Sequence, residues 1–189
     1  MQELLPVLII VAIIVVVPLI WLIATYNVFV RLRQHLRESW SAVETELQRR
    51  YDLIPNLVEA VKGYARHERD TLERVVELRN RAAANHSNPE SQARDENALI
   101  GGVKQLLAIA EAYPDLKANH NFLHLQKELG NTEDRIQAAR RFYNANVRDL
   151  NTRAGVFPSN LVAAMFGVKP AEYFEIEDST VRAAPAVTL

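Results

Sequence analysis

LLPVLIIVAIIVVVPLIWLIA, running from Leu4 to Ala24, holds no charged residue and no polar one. At ~1.5 Å per helical residue, about 21 residues reach roughly 31 Å, close to the ~30 Å hydrocarbon thickness of a bilayer. The stretch predicts a single transmembrane helix. A cleaved signal peptide has a basic start, a shorter apolar core and a small-residue cleavage site. Here Glu3 precedes the run and Thr25-Tyr26-Asn27 follows it, so the segment reads as an uncleaved anchor.

Arg31, Arg33 and Arg37 follow the run, against an N-terminal flank with only the α-amino group and Glu3. Arginines close after a span favour retention on the cytoplasmic side. The expected location is therefore the bacterial inner membrane, single-pass, with the N-terminus outside and the remaining chain cytoplasmic. Trp21 and Tyr26 stand where aromatic residues prefer the interface. Pro18 is expected to kink the helix unless neighbouring groups satisfy the freed carbonyl. The span has no ionisable residue and no GxxxG, so it reads as a plain anchor rather than a pore or a dimer seam.

All 22 Lys and Arg, and all but one of the 23 Asp and Glu, lie beyond the span, which leaves the remaining chain formally neutral. A nucleic-acid binder normally shows a basic face or stripe, so no nucleic-acid partner is expected. The absence of cysteine excludes disulfides, thiolate metal sites and thiol nucleophiles. Six glycines in 189 residues, with Ala, Leu, Glu and Arg abundant, favour helix.

Beyond the anchor, apolar residues recur in alternating steps of three and four. Phe29, Leu32, Leu36, Trp40, Val43 and Leu47 make one stripe, continuous with the span. The chain is expected to turn near Tyr51-Asp52-Leu53-Ile54-Pro55, with Asp52 as a cap and Pro55 in a first helical turn. A second helix is expected from about Ile54 to Ala84, its stripe interrupted by Glu68 and Arg79. The segment Asn85 to Ser91 reads as a loop. A third helix is expected from about Glu96 to Tyr113, with Gly101-Gly102 inside it as a place where a neighbouring helix comes close. A fourth, capped by Asn119, runs to about Arg153 on the stripe Phe122, Leu125, Leu129, Thr132, Ile136, Ala139, Tyr143, Asn146 and Leu150.

The expected fold is all-α: a single N-terminal transmembrane helix continuing into an antiparallel up-down-up-down four-helix bundle with long helices. Residues 1–25 form the anchor and 26–155 the bundle. Residues 156–189 form an apolar patch, an acidic stretch from Glu172 to Asp178 and a loose tail from about Ser179. In this topology the first and third connections meet at one tip. They offer Arg49, Arg50, Tyr51, Asp52, Tyr113, Asp115, Lys117 and Asn119, read either as turn and capping residues or as a partner-binding tip. The patch Phe157, Leu161, Val162, Met165 and Phe166 either caps the open base of the bundle or contacts the membrane or a second subunit.

Three segments carry a family resemblance. Arg49 to Glu59 (RRYDLIPNLVE) with Val61 to Ala65, Ala110 to Asn119 (AEAYPDLKAN) and Ala139 to Asn144 (ARRFYN) resemble the signatures of LemA family proteins. The resemblance runs from the anchor to Phe174, with Phe29 in Val28-Phe29-Val30 at a usual Leu. It implies one N-terminal membrane helix, a short external N-terminus and a helical-bundle domain, and it brings no activity with it.

No P-loop, GxSxG or glycine-rich nucleotide loop is present. His120, His124 and Glu128 share one helical face at metal-ligand spacing, but they lack the HExxH glutamate and a third ligand is not apparent. A solvated helix face is the plainer reading, and no cofactor or catalytic residue is expected. The sequence thus favours a non-enzymatic, membrane-anchored scaffold or interaction module, whose partners would be the lipid bilayer, further copies of itself or an unidentified protein. An adaptor for a membrane protease or assembly factor is one alternative. A metal-dependent enzyme using His120, His124 and Glu128 is the other.

Overall fold

The computed structural model describes residues 4–65 and 67–176, with side chains in the first helix from residue 12 onward. The expected loose tail from Ser179 lies outside the described residues. Among the described residues six helices follow in order: α1 Leu4–Lys62, α2 Arg69–Ala84, α3 Pro89–Glu111, α4 Pro114–Lys117, α5 His120–Gly155 and α6 Ser159–Met165. Among the described residues there is no strand, and the all-α class holds.

Two helix starts follow from local chemistry. Asn88 accepts from the Ser91 N–H at 2.7 Å, and Pro89 fills the first helical position, where its missing N–H costs nothing. This Asn-Pro pair starts α3 seven residues before the expected Glu96. Asn119 accepts from the N–H groups of Asn121 and Phe122 at 2.9 and 3.1 Å and opens α5, as expected.

The expected turn at Tyr51 to Pro55 is not there. The helix α1 continues through Pro55 to Lys62, and the reversal comes between it and α2, which begins at Arg69. A proline inside a helix removes the bond to the carbonyl four residues back, here Tyr51. Arg79 of α2 supplies the missing donor: its Nε gives a 2.9 Å hydrogen bond to the Tyr51 carbonyl oxygen. The stripe-interrupting arginine is therefore what lets α1 continue. The stripe itself hid the true turn, because Val61, Ala65, Leu72 and Val75 keep the 4,3 rhythm across the reversal and all are buried.

Packing divides the chain into two units, one of Met1–Trp40 with Phe142–Ala171, the other of Ser41–Arg141 with Glu172 onward. These units do not follow the division into 1–25, 26–155 and 156–189, because α1 and α5 each contribute to both.

In the second unit four helices alternate in direction. Asn119 at the start of α5 donates to the Tyr64 hydroxyl at 3.1 Å, and fourteen residues back along α1 and forward along α5, Arg50 meets Glu133. Gln92 of α3 reaches the Ala82 carbonyl of α2, while Gly102 further along α3 lies against Val75 and Leu78. A Cβ at Gly102 would come within 2.9 Å of Leu78 Cδ1, whereas one at Gly101 would meet nothing within 4 Å. Close approach of α2 explains one glycine of the pair, and nothing in the structure explains the other.

In the first unit, Phe29, Leu150, Val162, Ala163 and Val168 form a buried cluster flanked by Leu32, Leu36, Ala154 and Ala171. Trp40 and Tyr143 pack with ring centroids 5.1 Å apart. The helix α6 ends in a Schellman turn: Val168 N–H bonds the Ala163 carbonyl at 2.8 Å, and Gly167 takes the positive φ of 61° that this turn needs.

Arg79→Ala should cost about 1–3 kcal/mol, the usual penalty for orphaning a buried acceptor. In a Pro55→Ala background residue 55 regains its N–H, and the same arginine change should cost less than half as much. Thermal unfolding of the four proteins, followed by circular dichroism in detergent, reads the difference. Equal costs in both backgrounds would refute the link.

Candidate functional site: the buried Arg50 cluster, the α1–α2 end and the outward apolar face

The RRYDLIPN segment lies within α1 rather than in a connection, so its residues face different surroundings at helical intervals. Arg49 is exposed and lies 3.3 Å from Glu46. Asp52 is exposed and accepts from Gln48 at 2.8 Å. Arg50 and Tyr51 are buried, with 1% and 5% of their surface exposed. A buried pair cannot belong to a partner-binding tip, so these two leave that expectation.

Arg50 joins three helices. One guanidinium nitrogen donates to Glu133 of α5 at 2.7 Å, and the other pairs with the fully buried Glu96 of α3. The Tyr51 hydroxyl donates to the second Glu96 oxygen. The Gln92 side-chain amide lies 2.9 Å from that oxygen and 3.0 Å from both the Tyr51 hydroxyl and the Ala82 carbonyl. Burial alone would lower the Arg50 pKa, but Glu96 and Glu133 outweigh it and hold the guanidinium above its ordinary value. Burial, and then the Glu96 carboxylate, push the Tyr51 hydroxyl well above the ordinary tyrosine range.

A groove of about 370 Å³ opens beside Glu133, with Val103, Leu129 and Ile136 as apolar wall and Lys104 and Arg140 among its polar lining. Arg50 borders it, and its Nε is buried without a hydrogen-bond partner. The cluster is an ion-pair lock: its donors and acceptors are largely spent on one another.

Two connections do meet in the second unit, but the first is residues 63–68. The Asn119–Tyr64 hydrogen bond joins them. Asp115 and Lys117 are exposed there, Tyr113 is half-buried, and Leu116 between them is fully buried. Of the expected tip, Tyr113, Asp115, Lys117 and Asn119 remain at this end, and Tyr64 takes the place given to Tyr51. His120 and His124 are exposed on α5 with Glu128 half-buried, and among the described residues no three His, Asp or Glu side chains form a metal-holding group.

The apolar patch is divided by α6. Val162 lies in the buried cluster with Ala163, whereas Phe157, Leu161, Met165 and Phe166 are 79, 57, 67 and 41% exposed. Phe166 packs on Tyr26 with ring centroids 4.6 Å apart, and Arg33 donates to the Gly167 carbonyl at 3.2 Å.

Sequence reading missed Gln92, Glu96, Glu133 and the role of Arg79. The signal was present in part: Gln92, Glu96, Leu99, Val103 and Leu106 step by 4, 3, 4 and 3, and a charged residue that such a stripe buries needs a partner.

Two outcomes follow from the cluster. Arg50→Met strands the Glu96 carboxylate in the core and should cost about 3–5 kcal/mol, while adding Glu96→Leu should return most of it. Denaturant unfolding of the single and double variants is the check. The pH response has a definite sign. Below about 10, the ordinary tyrosine pKa, the contribution of the protonated Tyr51 is complete. Above that pH the unfolded chain gives up its proton first, so the contribution falls as pH rises toward the raised folded value. Unfolding midpoints measured between pH 8 and 11.5 should therefore drop less steeply in Tyr51→Phe than in the parent.

The model of the LemA family matches residues 39–189. The match begins beyond the apolar segment and leaves Tyr26 to Val30 outside it. The chain is 27% identical to each of two magnetosome proteins of Paramagnetospirillum magneticum, MamQ 1 and MamQ 2, over 82% of its own length and 66% of theirs. It thus spans about two thirds of those relatives. It is 24% identical to Protein LemA of Metamycoplasma hominis, over 82% of this chain and 75% of that one. A family match over most of the chain, on the segments whose side chains build the Arg50 cluster and the α3–α5 connection, makes this protein a member of the LemA family.

Proposed function

We propose that this LemA family protein is a non-enzymatic interaction module, held at the bacterial inner membrane by α1, with its N-terminus outside and its helical bundle in the cytoplasm. The carrying observation is the continuity of α1 from Leu4 to Lys62. The same helix holds an apolar segment long enough to cross a membrane and also side chains of the helical packing that follows. Ile13, Ile14, Val15, Leu19 and Ile20 are more than half exposed, an outward apolar surface that supports a membrane span. Arg31, Arg33 and Arg37 after the apolar run support the orientation.

The joined connections at Tyr64 and Asn119 are the place for a protein partner or a second copy. Tyr64 is 42% exposed there, beside exposed Asp115 and Lys117. The similar magnetosome proteins are named for a cellular structure and not for a reaction, which agrees with an assembly role.

A reporter active only outside the cytoplasm, fused after Leu189, should be silent, and the same reporter fused ahead of Met1 should be active. The reverse pattern would overturn the orientation. A photo-crosslinking residue in place of Tyr64, activated in intact membranes, should give one discrete adduct. A smear or no adduct would remove the partner role from this end.

A further inference from the structure

The outward side of α6 has no covering among the described residues, and its position says what should cover it. The exposed apolar run of α1 is followed by Thr25, which is 2% exposed, and by Phe29, which is 1% exposed. Packing in this unit thus begins where the apolar segment ends at Ala24. The Phe166 ring rests against Tyr26, two residues beyond Ala24, a rise of about 3 Å along the helix. The headgroup layer on each side of the hydrocarbon is roughly 5–7 Å deep. If α1 crosses the bilayer, Phe166 therefore lies in that layer.

The chemistry of the segment fits the same depth. Leu161 and Met165 stand four residues apart on one face of α6, opposite Val162 and Ala163, which are buried in the cluster. Phe157 and Phe166 extend the exposed face at either end. Arg153 and Lys169 flank the segment and are exposed, and Arg33 is tied to it through the Gly167 carbonyl. Apolar side chains flanked by basic ones make up the face that a peripheral helix turns toward anionic lipid.

We propose that Phe157, Leu161, Met165 and Phe166 form a second membrane contact, dipping into the interfacial layer of the leaflet through which α1 leaves the bilayer. The proposal rests on the anchor reading of α1. The occupant is lipid because the face adjoins the surface that the apolar run of α1 already offers to lipid. The anchor and α6 then hold one end of this unit at the membrane at two places, which limits tilting of α1.

The chain has no cysteine, so a single introduced one takes a dye uniquely. Leu161→Cys, Ile20→Cys and Asp134→Cys, each in the full chain, carry an environment-sensitive fluorophore. The proteins are reconstituted in vesicles of phosphatidylethanolamine and phosphatidylglycerol, with and without brominated acyl chains. The dye at position 161 should emit blue-shifted from that at 134, and shallowly placed bromines should quench it more than deep ones. The dye at position 20, about 6 Å below the end of the apolar run, should be quenched by deeper bromines than the dye at 161. A water-like signal at 161 beside a lipid-like one at 20 overturns the second contact and leaves the anchor standing. Water-like signals at both positions overturn both. Blue-shifted emission at 161 that bromine does not quench means that protein covers the face, a second copy or another chain, and also overturns the proposal.

Discussion

The second unit depends on the ion pair between Arg50 and Glu96. Neither group can be left alone in the core, since an isolated buried charge costs far more than the stability of a domain allows. The pair lies on α1 and α3, with Glu133 on α5 as a second partner for the arginine and Tyr51 and Gln92 saturating the glutamate. An apolar core of equal volume could match its stability. Apolar stripes tolerate a slip of one helix along another, whereas a slip here would part Arg50 from Glu96 and Glu133.

A second constraint acts on the backbone. Pro55 would ordinarily end α1, but the helix continues past it, and the guanidinium of Arg79 meets the carbonyl that the proline leaves without a donor. The same arginine comes within 4.0 Å of Asp52. A side chain from α2 thereby repairs a defect in α1, and the repair ties together the two arms of the hairpin. Motif residues that suggest a turn or a binding site when read along the chain are here structural members: Arg50 and Tyr51 in the cluster, Pro55 in the helix.

The first unit follows a different logic. Its small core is closed by the return of the chain through α6, and the Schellman turn at Gly167 places Val168 in the same cluster. Only one side of α6 is used for this. Short amphipathic helices usually turn their other side to water, but here that side carries Phe157, Leu161, Met165 and Phe166. Packing inside the unit accounts for Val162 and Ala163, and in part for Phe166 through Tyr26, and leaves Phe157, Leu161 and Met165 unexplained by folding alone.

The all-α class, the apolar segment from Leu4 to Ala24, the caps at Asn119 and the inner stripes of α1 and α5 were legible in the residues, because helical periodicity and local capping act over a few positions. Phe29, Val43, Leu47, Leu129, Ile136 and Leu150 are all buried where the 3,4 spacing put them. The position of the first turn was not legible. A stripe records which side of a helix is apolar, and that pattern continues unchanged through a reversal in which both arms face one core. Nor could the sequence assign Arg79 to the Tyr51 carbonyl, pair Arg50 with residues 46 and 83 positions away, or divide the 156–168 patch into a buried and an outward face. Those outcomes depend on side chains from distant segments meeting in space, and only the tertiary structure decides that.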